Sequence, residues 1–397
     1  MLNPKTQERE LCYVVEINDI QPIPNYDRVE LATVNGWHII VQKNQFKVGD
    51  KAIYFEVDSK VPESAEFDFL AKRKYKIKTL KMCGCISQGL LMSFADFGFA
   101  EDEYNVGDFL TKKLNITYYE AGDNDRKAPS ANKYDKMKQR HKKLFKNPIV
   151  KNIMKFKIGR KIMFFFFGKK KDKKSTWPVG RFPGVSKTDQ ERCENMIYIL
   201  EDKTPFIVTQ KCDGSSGTYI LEKKGRNKYE FYICSRNVRM MSGSQECFYG
   251  KHNYYWEVAL KYDIENKMKK WLNNTPGATW VCWQGEICAP GIQKNPHKLK
   301  ETHFYCFHWT DNINGRLDIV TADKIWKQYN MEVVPIVDTN YILPDDFEEF
   351  KLSADGKYDA IVCEGAKDCD REGFVYYKTT DPTYSFKNVS RTYLLKH

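Results

Sequence analysis

The chain has 397 residues, 42% of them hydrophobic and 14% aromatic, enough apolar side chain to bury more than one folded unit. The opening MLNPKTQERE lacks the apolar stretch of a secretory leader, and the longest purely apolar run, Ile162 to Phe167, falls far short of the ~20 residues that span a bilayer; a soluble, intracellular protein without a membrane partner is expected, in cytoplasm or nucleus. The formal net charge of +12 is concentrated between Arg126 and Lys174, where 19 Lys or Arg stand against only Asp135 and Asp172, so the rest of the chain is net acidic.

Residues 11 to 115 carry short alternating runs separated by turn residues: LCYVVEI, PIPNYDRVELATV, GWHIIVQ, VGDKAIYFEV and QGLLMSF. Short strands at even spacing predict a small β-barrel of the OB type over residues 1–118. Residues 119–175 form a lysine-rich insert or linker. Asn147 and Pro148 are placed to start a helix there, with Ile149, Val150, Ile153 and Met154 on one face. Three readings of this insert stand open: a contact to a phosphate backbone, a solvated linker, or a basic helix at a membrane surface.

From Trp177 onward the composition is that of a globular domain, taken here as 176–397. Strands are expected around 205–210, 218–221, 229–234, 280–287, 303–309, 359–363 and 373–377, and helices around 188–200, 250–273 and 322–329. This mixture, without a regular βαβ repeat, predicts an α+β domain of antiparallel sheets flanked by helices. The 12 cysteines include no C-x-x-C pair, which predicts reduced, buried thiols and no structural zinc.

One stretch carries chemistry. In TPFIVTQKCDGSSGTYILEKKG, a β-branched run ends on Lys211, followed by Asp213 and Gly214. A lysine amine becomes a nucleophile when its pKa is lowered, here by apolar neighbours and a nearby cation, and a glycine lets the backbone approach a phosphate. The bland reading of the same residues is a lysine on a turn.

The motifs around this stretch resemble those of covalent nucleotidyltransferases, and among them the ATP-dependent RNA ligases. KCDGSS (Lys211 to Ser216) matches the nucleophile motif, and SRN (Ser235 to Asn237) follows it. WQGEICAPGIQKN (283 to 295) carries a Gly-Glu pair, FYCFHW (304 to 309) matches the aromatic motif, REGFVYYK (371 to 378) matches Glu-Gly-x-Val, and SFKNVSRTYLLK (385 to 396) matches the last lysine motif. KTDQERCEN (187 to 195) resembles a segment of the Naegleria-type RNA ligases, which also place an OB domain first. The resemblance covers the chain except the basic insert.

It implies that Lys211 forms the bond to AMP, with Asp213 and Lys387 as further catalytic residues. The nucleotide would be held by Arg192, Gly214, Ser216, Arg236, Asn237, Glu286, Phe304 or Phe307, and Lys387. Glu372 would hold Mg²⁺ or Mn²⁺, with Glu364 as the rival match. Arg236 and Arg192 can equally make surface salt bridges, Glu286 can be an ordinary strand-end carboxylate, and alternating aromatics along a strand are commonly core. The last motif has Ser385 where related enzymes often carry a second lysine. The implied substrate is RNA with 5′-phosphate and 3′-hydroxyl ends, in a nicked duplex, bound by a monomer. Alternatives are a GTP-dependent mRNA-capping guanylyltransferase or DNA ligase, both of which usually place the OB domain last, and a non-catalytic RNA-binding protein.

Overall fold

The computed structural model describes residues 1–3, 6, 8–119, 147–154, 163, 181–240, 252–358 and 368–396. The chain divides into two compact units, one made of Met1–Thr117 with Thr176–His397 and the other of Tyr118–Ser175. The expected strand at 359–363, Glu364, the IMFFFF run apart from Met163, and most of the basic insert lie outside the described residues. Within the second unit the expected helix is present as Pro148–Ile153.

The larger unit begins with small antiparallel sheets. Strands Cys12–Glu16, Lys51–Phe55 and Leu90–Met92 form one, and Asp19–Ile23, Tyr26–Val34 and Trp37–Gln42 form a meander. Alternation sorts their side chains into two cores: Val14, Ile53, Phe55 and Met92 in one, Tyr13, Val15, Tyr54 and Leu91 in the other. Glu56 is fully buried between them, and is paired with the Met1 ammonium and with Arg9 Nε at 3.0 Å.

The remainder of the unit is built on two sheets, giving the α+β class. The first runs in the order Glu191–Arg192, Asp381–Val389, Gly373–Lys378, Phe206–Gln210, Ile336–Tyr341. The second runs Arg239–Met240, Lys228–Ser235, Ser215–Gly225, Trp280–Cys288, His303–Asp311, Gly315–Arg316, with Glu332–Val333 also pairing His303–Asp311. All these pairs are antiparallel except Glu191–Arg192 on Asp381–Val389 and Glu332–Val333 on its partner. Ile207, Val375 and Tyr377 of the first sheet meet Cys288 and Tyr305 of the second in a shared core. The outer face of the second sheet is covered by the helices Tyr254–Lys261, Ile264–Asn274 and Ile319–Gln328, packed on Trp283, Phe304 and Trp309.

Two helix expectations are corrected. The 250–273 segment is two helices, because Asp263 adopts a left-handed conformation (φ 48°) between them. Asn253 caps the first, its side-chain oxygen accepting from the Trp256 N–H at 3.3 Å. The 188–200 segment is a strand pair at Glu191–Arg192 followed by two 3₁₀ turns, Cys193–Asn195 and Ile197–Glu201. Tertiary contact overrides helix propensity here: Glu194 is buried and ion-paired at 2.8 Å with buried Lys351, whose ammonium also donates to the Val389 carbonyl at 3.0 Å. Burial alone would raise the Glu194 carboxyl, but Lys351 and Arg192 hold it down at about 2. The ten cysteines among the described residues are free thiols. No helix among those residues is long and apolar enough to cross a membrane.

Candidate active site

Strand parity aims the site residues. On Phe206–Gln210, Phe206 and Val208 pack outward while Ile207 joins the core between the sheets. Continuing the alternation places Lys211 on the inner side, where the chain leaves the first sheet to enter the second at Ser215. On Asp381–Val389, Lys387 lies opposite inner-facing Val375, and Arg192 lies opposite Lys387 on the neighbouring strand. On the second sheet, Glu286 lies opposite Tyr305, also inner-facing, and Ser216 opposite Glu286. Lysines from one sheet and a carboxylate from the other therefore converge on one cleft.

Lys211 Nζ forms an ion pair with Glu372 Oε1 at 2.7 Å. Burial pulls the ammonium's pKa down, but Glu372, Glu286 and Asp213 outweigh it and the net direction is up. The expectation of a lowered lysine pKa is thus corrected: the strand end assembles carboxylates around the amine and keeps it protonated until something neutralises them. Glu286 is pushed up to about 8, first by burial and then by Glu372 and Asp213, against the opposing pull of Lys211. Lys387 is lowered to about 8, first by burial and then by Arg192 and Lys211. The cleft therefore has an acidic wall beside Lys211 and a cationic wall behind it.

Two glycines are fixed by close approach. A Cβ on Gly214 would sit 2.4 Å from the Ile287 carbonyl oxygen and 3.0 Å from Glu286 Cγ. Gly373 has φ +138° and a Cβ there would sit 2.1 Å from the Asn388 oxygen. Gly214→Ala is expected to cut the adenylylation that the resemblance implies for Lys211 by about a hundredfold, because shifting this turn by an ångström spoils the aim of the amine. The check is a single-turnover assay beside a melting curve that shows the variant still folded.

Tyrosines hold the turn and were not legible as site residues. The Tyr358 hydroxyl donates to the Lys211 carbonyl at 3.0 Å and accepts from the Glu372 N–H at 3.0 Å, tying the Lys211 and Glu372 backbones together. The Tyr393 hydroxyl donates to Asp213 Oδ2, and the Asp213 N–H donates to His297 Nε2 at 3.1 Å. No pattern in the sequence marks these contacts, since their partners lie far along the chain.

The other expected residues divide. Ser216 shares a 2.5 Å hydrogen bond with Thr188. Arg192 faces the cleft beside Lys387, with its Nη1 buried and unpartnered. Arg236 makes an exposed 2.7 Å ion pair with Asp189, and Asn237 is exposed beside it. Phe307 packs on the core between the sheets. Phe304 is corrected: it is fully buried on the opposite face, edge-on to Tyr219 among the residues that contact the helices. Being one residue out of phase with Tyr305, it points away from the cleft.

A divalent cation fits this cleft. Glu372 Oε2 is buried and unpartnered, and Glu286 stands near enough to raise its own pKa through Glu372. Among the described residues no cluster of three or more His, Cys, Asp or Glu ligands is assembled, which suits a cation shared between one or two carboxylates and the phosphates of a substrate.

An OB-fold domain model matches residues 11–94, and the RNA ligase family model matches residues 204–393. No curated protein gives a significant match. Among solved structures, a substituted Naegleria gruberi RNA ligase with ATP and Mn is 26% identical with a TM-score of 0.64, covering 98% of this chain and 99% of the other. The Naegleria gruberi RNA ligase with PPi is 26% identical with a TM-score of 0.63 over the same coverage. Another substituted form, with AMP and Mn, is 26% identical with a TM-score of 0.64, again covering 98% and 99%. With the two domain models in this order and the likeness running nearly end to end, the chain sets an RNA ligase domain behind an OB-fold domain, the arrangement that the Naegleria-type resemblance implied.

Proposed function

We propose that this chain is an ATP-dependent RNA ligase whose Lys211 carries AMP, and that RNA with 5′-phosphate and 3′-hydroxyl ends, in a nicked duplex, is sealed by a monomer. The observation that carries the reading is the convergence of Lys211, Glu372 and Glu286 with Lys387 and Arg192 on one cleft between two sheets. The capping, DNA-ligase and non-catalytic alternatives are not favoured, since the ligase domain follows the OB domain and keeps nucleophile and carboxylates together.

In the first step the Lys211 Nζ lone pair attacks the α-phosphorus of ATP, a phosphoramide bond forms, and the bond to the β-phosphate oxygen breaks as pyrophosphate leaves. Glu372 Oε1, 2.7 Å from Nζ, is placed to take the proton the amine must shed. Lys387 and Arg192 offset charge on the α-phosphate. Phe307 is the ring available to stack on adenine, Ser216 and Glu286 line the nucleoside side of the cleft, and Arg236 with Asn237 reaches the phosphates once released from Asp189. Asp213, fixed by Tyr393, completes the acidic wall. Glu372 and Glu286 are the residues that would hold Mg²⁺ or Mn²⁺, whose charge supplies the neutralisation that frees the lysine of its proton. A 5′-phosphate oxygen of RNA then displaces Lys211 from AMP, and a 3′-hydroxyl displaces AMP. We place the domain boundaries at 1–118 for the OB domain, 119–175 for the basic insert and 176–397 for the ligase domain, with the barrel and insert gripping RNA through phosphates and 2′-hydroxyls.

The charge on Lys387 sets a pH dependence. A group whose pKa is lowered to about 8 is cationic below that pH and loses its charge as pH rises through it. With a bound cation offsetting the carboxylates around Lys211, the rate of adenylylation is expected to rise with pH as the amine sheds its proton and, once it is deprotonated, to fall by up to about tenfold per unit above the Lys387 titration. Lys387→Arg keeps its charge throughout and is expected to retain the rise and lose the alkaline fall. Identical alkaline limbs in the two proteins would remove Lys387 from this role.

A further inference from the structure

The basic insert dominates the charge count, yet a second cationic stretch lies in the amino-terminal sheets. Between Lys72 and Lys81 stand Lys72, Arg73, Lys74, Lys76, Lys78 and Lys81 with no acidic residue among them. Lys72, Arg73, Lys74 and Lys81 are exposed and have no ion-pair partner among the described residues. The 3₁₀ helix Ala65–Arg73 segregates charge along its length, with Glu66 and Asp68 in its first turn and Lys72 and Arg73 in its last.

The stretch is held rigidly. Lys74 and Tyr75 both adopt left-handed φ values, 55° and 57°, which non-glycine residues take only when the surroundings impose it. The imposing contacts are backbone hydrogen bonds: Lys74 N–H to Ala71 O at 2.9 Å, Val61 N–H to Tyr75 O at 2.9 Å, and Ile77 N–H to Ser59 O at 2.9 Å. Ile77 is buried beneath. Lys76 is buried with it, while Lys72, Arg73, Lys74 and Lys81 stand exposed along one pinned edge, flanked by Phe69, 60% exposed, and Met82, 41% exposed. A line of unpaired cations with exposed apolar side chains beside it fits a nucleic-acid backbone with unstacked bases, whereas an acidic protein partner would leave those side chains without an evident use.

The ribbon also leads to the active site. It runs into the hairpin of Leu80–Met82 and Cys85–Ser87, and Cys85–Ser87 packs on the C-terminal helix Arg391–Lys396. That helix carries Tyr393, hydrogen-bonded to Asp213 of the nucleophile turn, and Arg391, which donates to the Gly36 carbonyl at 3.0 Å. We propose that the Lys72–Lys81 ribbon is the track on which the phosphate backbone of the RNA to be sealed lies as it approaches Lys211. The proposal rests on the RNA ligase reading and adds where the RNA is held.

The test compares the parent protein with a neutral variant (K72Q, R73Q, K74N and K81Q together) and a charge-retaining one (K72R, R73K, K74R and K81R). The probe is a fluorescent 5′-phosphorylated RNA titrated across a salt series, beside self-adenylation with ATP alone. Each phosphate contact adds about 0.7 to 0.9 to the slope of log affinity against log salt, so the neutral variant is expected to lose about 3 from that slope. It should also bind RNA at least about tenfold more weakly at low salt, while adenylating itself as the parent does. The charge-retaining variant is expected to bind as the parent. An unchanged slope in the neutral variant, or equal weakening in both variants, overturns the proposal. Should the neutral variant lose self-adenylation through misfolding, K72Q and K81Q singly decide, each expected to lower the slope by about 0.8. A parent protein that takes no AMP from ATP would instead overturn the ligase reading itself.

Discussion

Replacing Lys211 by alanine is expected to abolish transfer of AMP from ATP to the protein, with ATP-dependent RNA sealing falling at least about a thousandfold. The amine is the only cation paired with Glu372 among the described residues, and no neighbouring lysine can stand in for it. Lys387 arrives from the other side of Val375, with Arg192 beside it. In the proposed reaction the lysine attacks in the first step and departs in the second, so an RNA supplied with AMP already on its 5′-phosphate would bypass it. The variant is therefore expected to seal that RNA within about tenfold of the parent. A gel assay with both substrates separates the outcomes: loss of both would mean that the substitution had unmade the cleft, since it strips the compensating cation from buried carboxylates.

Glu372→Gln is expected to be the next most damaging change, slowing adenylylation by about a hundredfold to a thousandfold. The amide keeps the shape of the carboxylate but cannot accept the lysine's proton or hold a divalent cation. It also removes the largest of the carboxylate effects that hold the Lys211 pKa up, so the lysine pKa in the variant is expected to fall. A merely structural role for Glu372 predicts a lower melting temperature with a parental pH profile. The catalytic role predicts a loss that extra Mn²⁺ does not restore and an acid limb displaced to lower pH, both read from single-turnover rates across pH.

Most residues of this site were named in the sequence by the resemblance of its motifs, and the periodicity of strands explains how those motifs meet. The β-branched run ending on Lys211 and the Gly-Glu pair at Gly285–Glu286 announced strand ends, and parity then carried both side chains into the cleft. The same parity was ambiguous for Phe304 and Phe307, because periodicity shows that a strand has two faces without telling which one is the cleft. Only the helices covering Phe304 decide it. The direction of the Lys211 pKa was hidden for a related reason: its carboxylate neighbours come from strands far along the chain, and local sequence shows only the apolar residues that would lower it. The 188–200 helix failed because a buried Glu194–Lys351 pair commands that segment. The Lys72–Lys81 ribbon was masked by a charge tally in which the chain outside the insert is net acidic.

The central claim is that Lys211 accepts AMP, and it is tested most directly by weighing the intact protein after incubation with ATP and Mg²⁺ or Mn²⁺, then mapping the adduct by peptide digestion. The account predicts one AMP per chain, on the peptide holding Lys211, absent with GTP and discharged when 5′-phosphorylated RNA is added. An adduct on another residue, a GMP adduct, or an unmodified protein under both metals would contradict it.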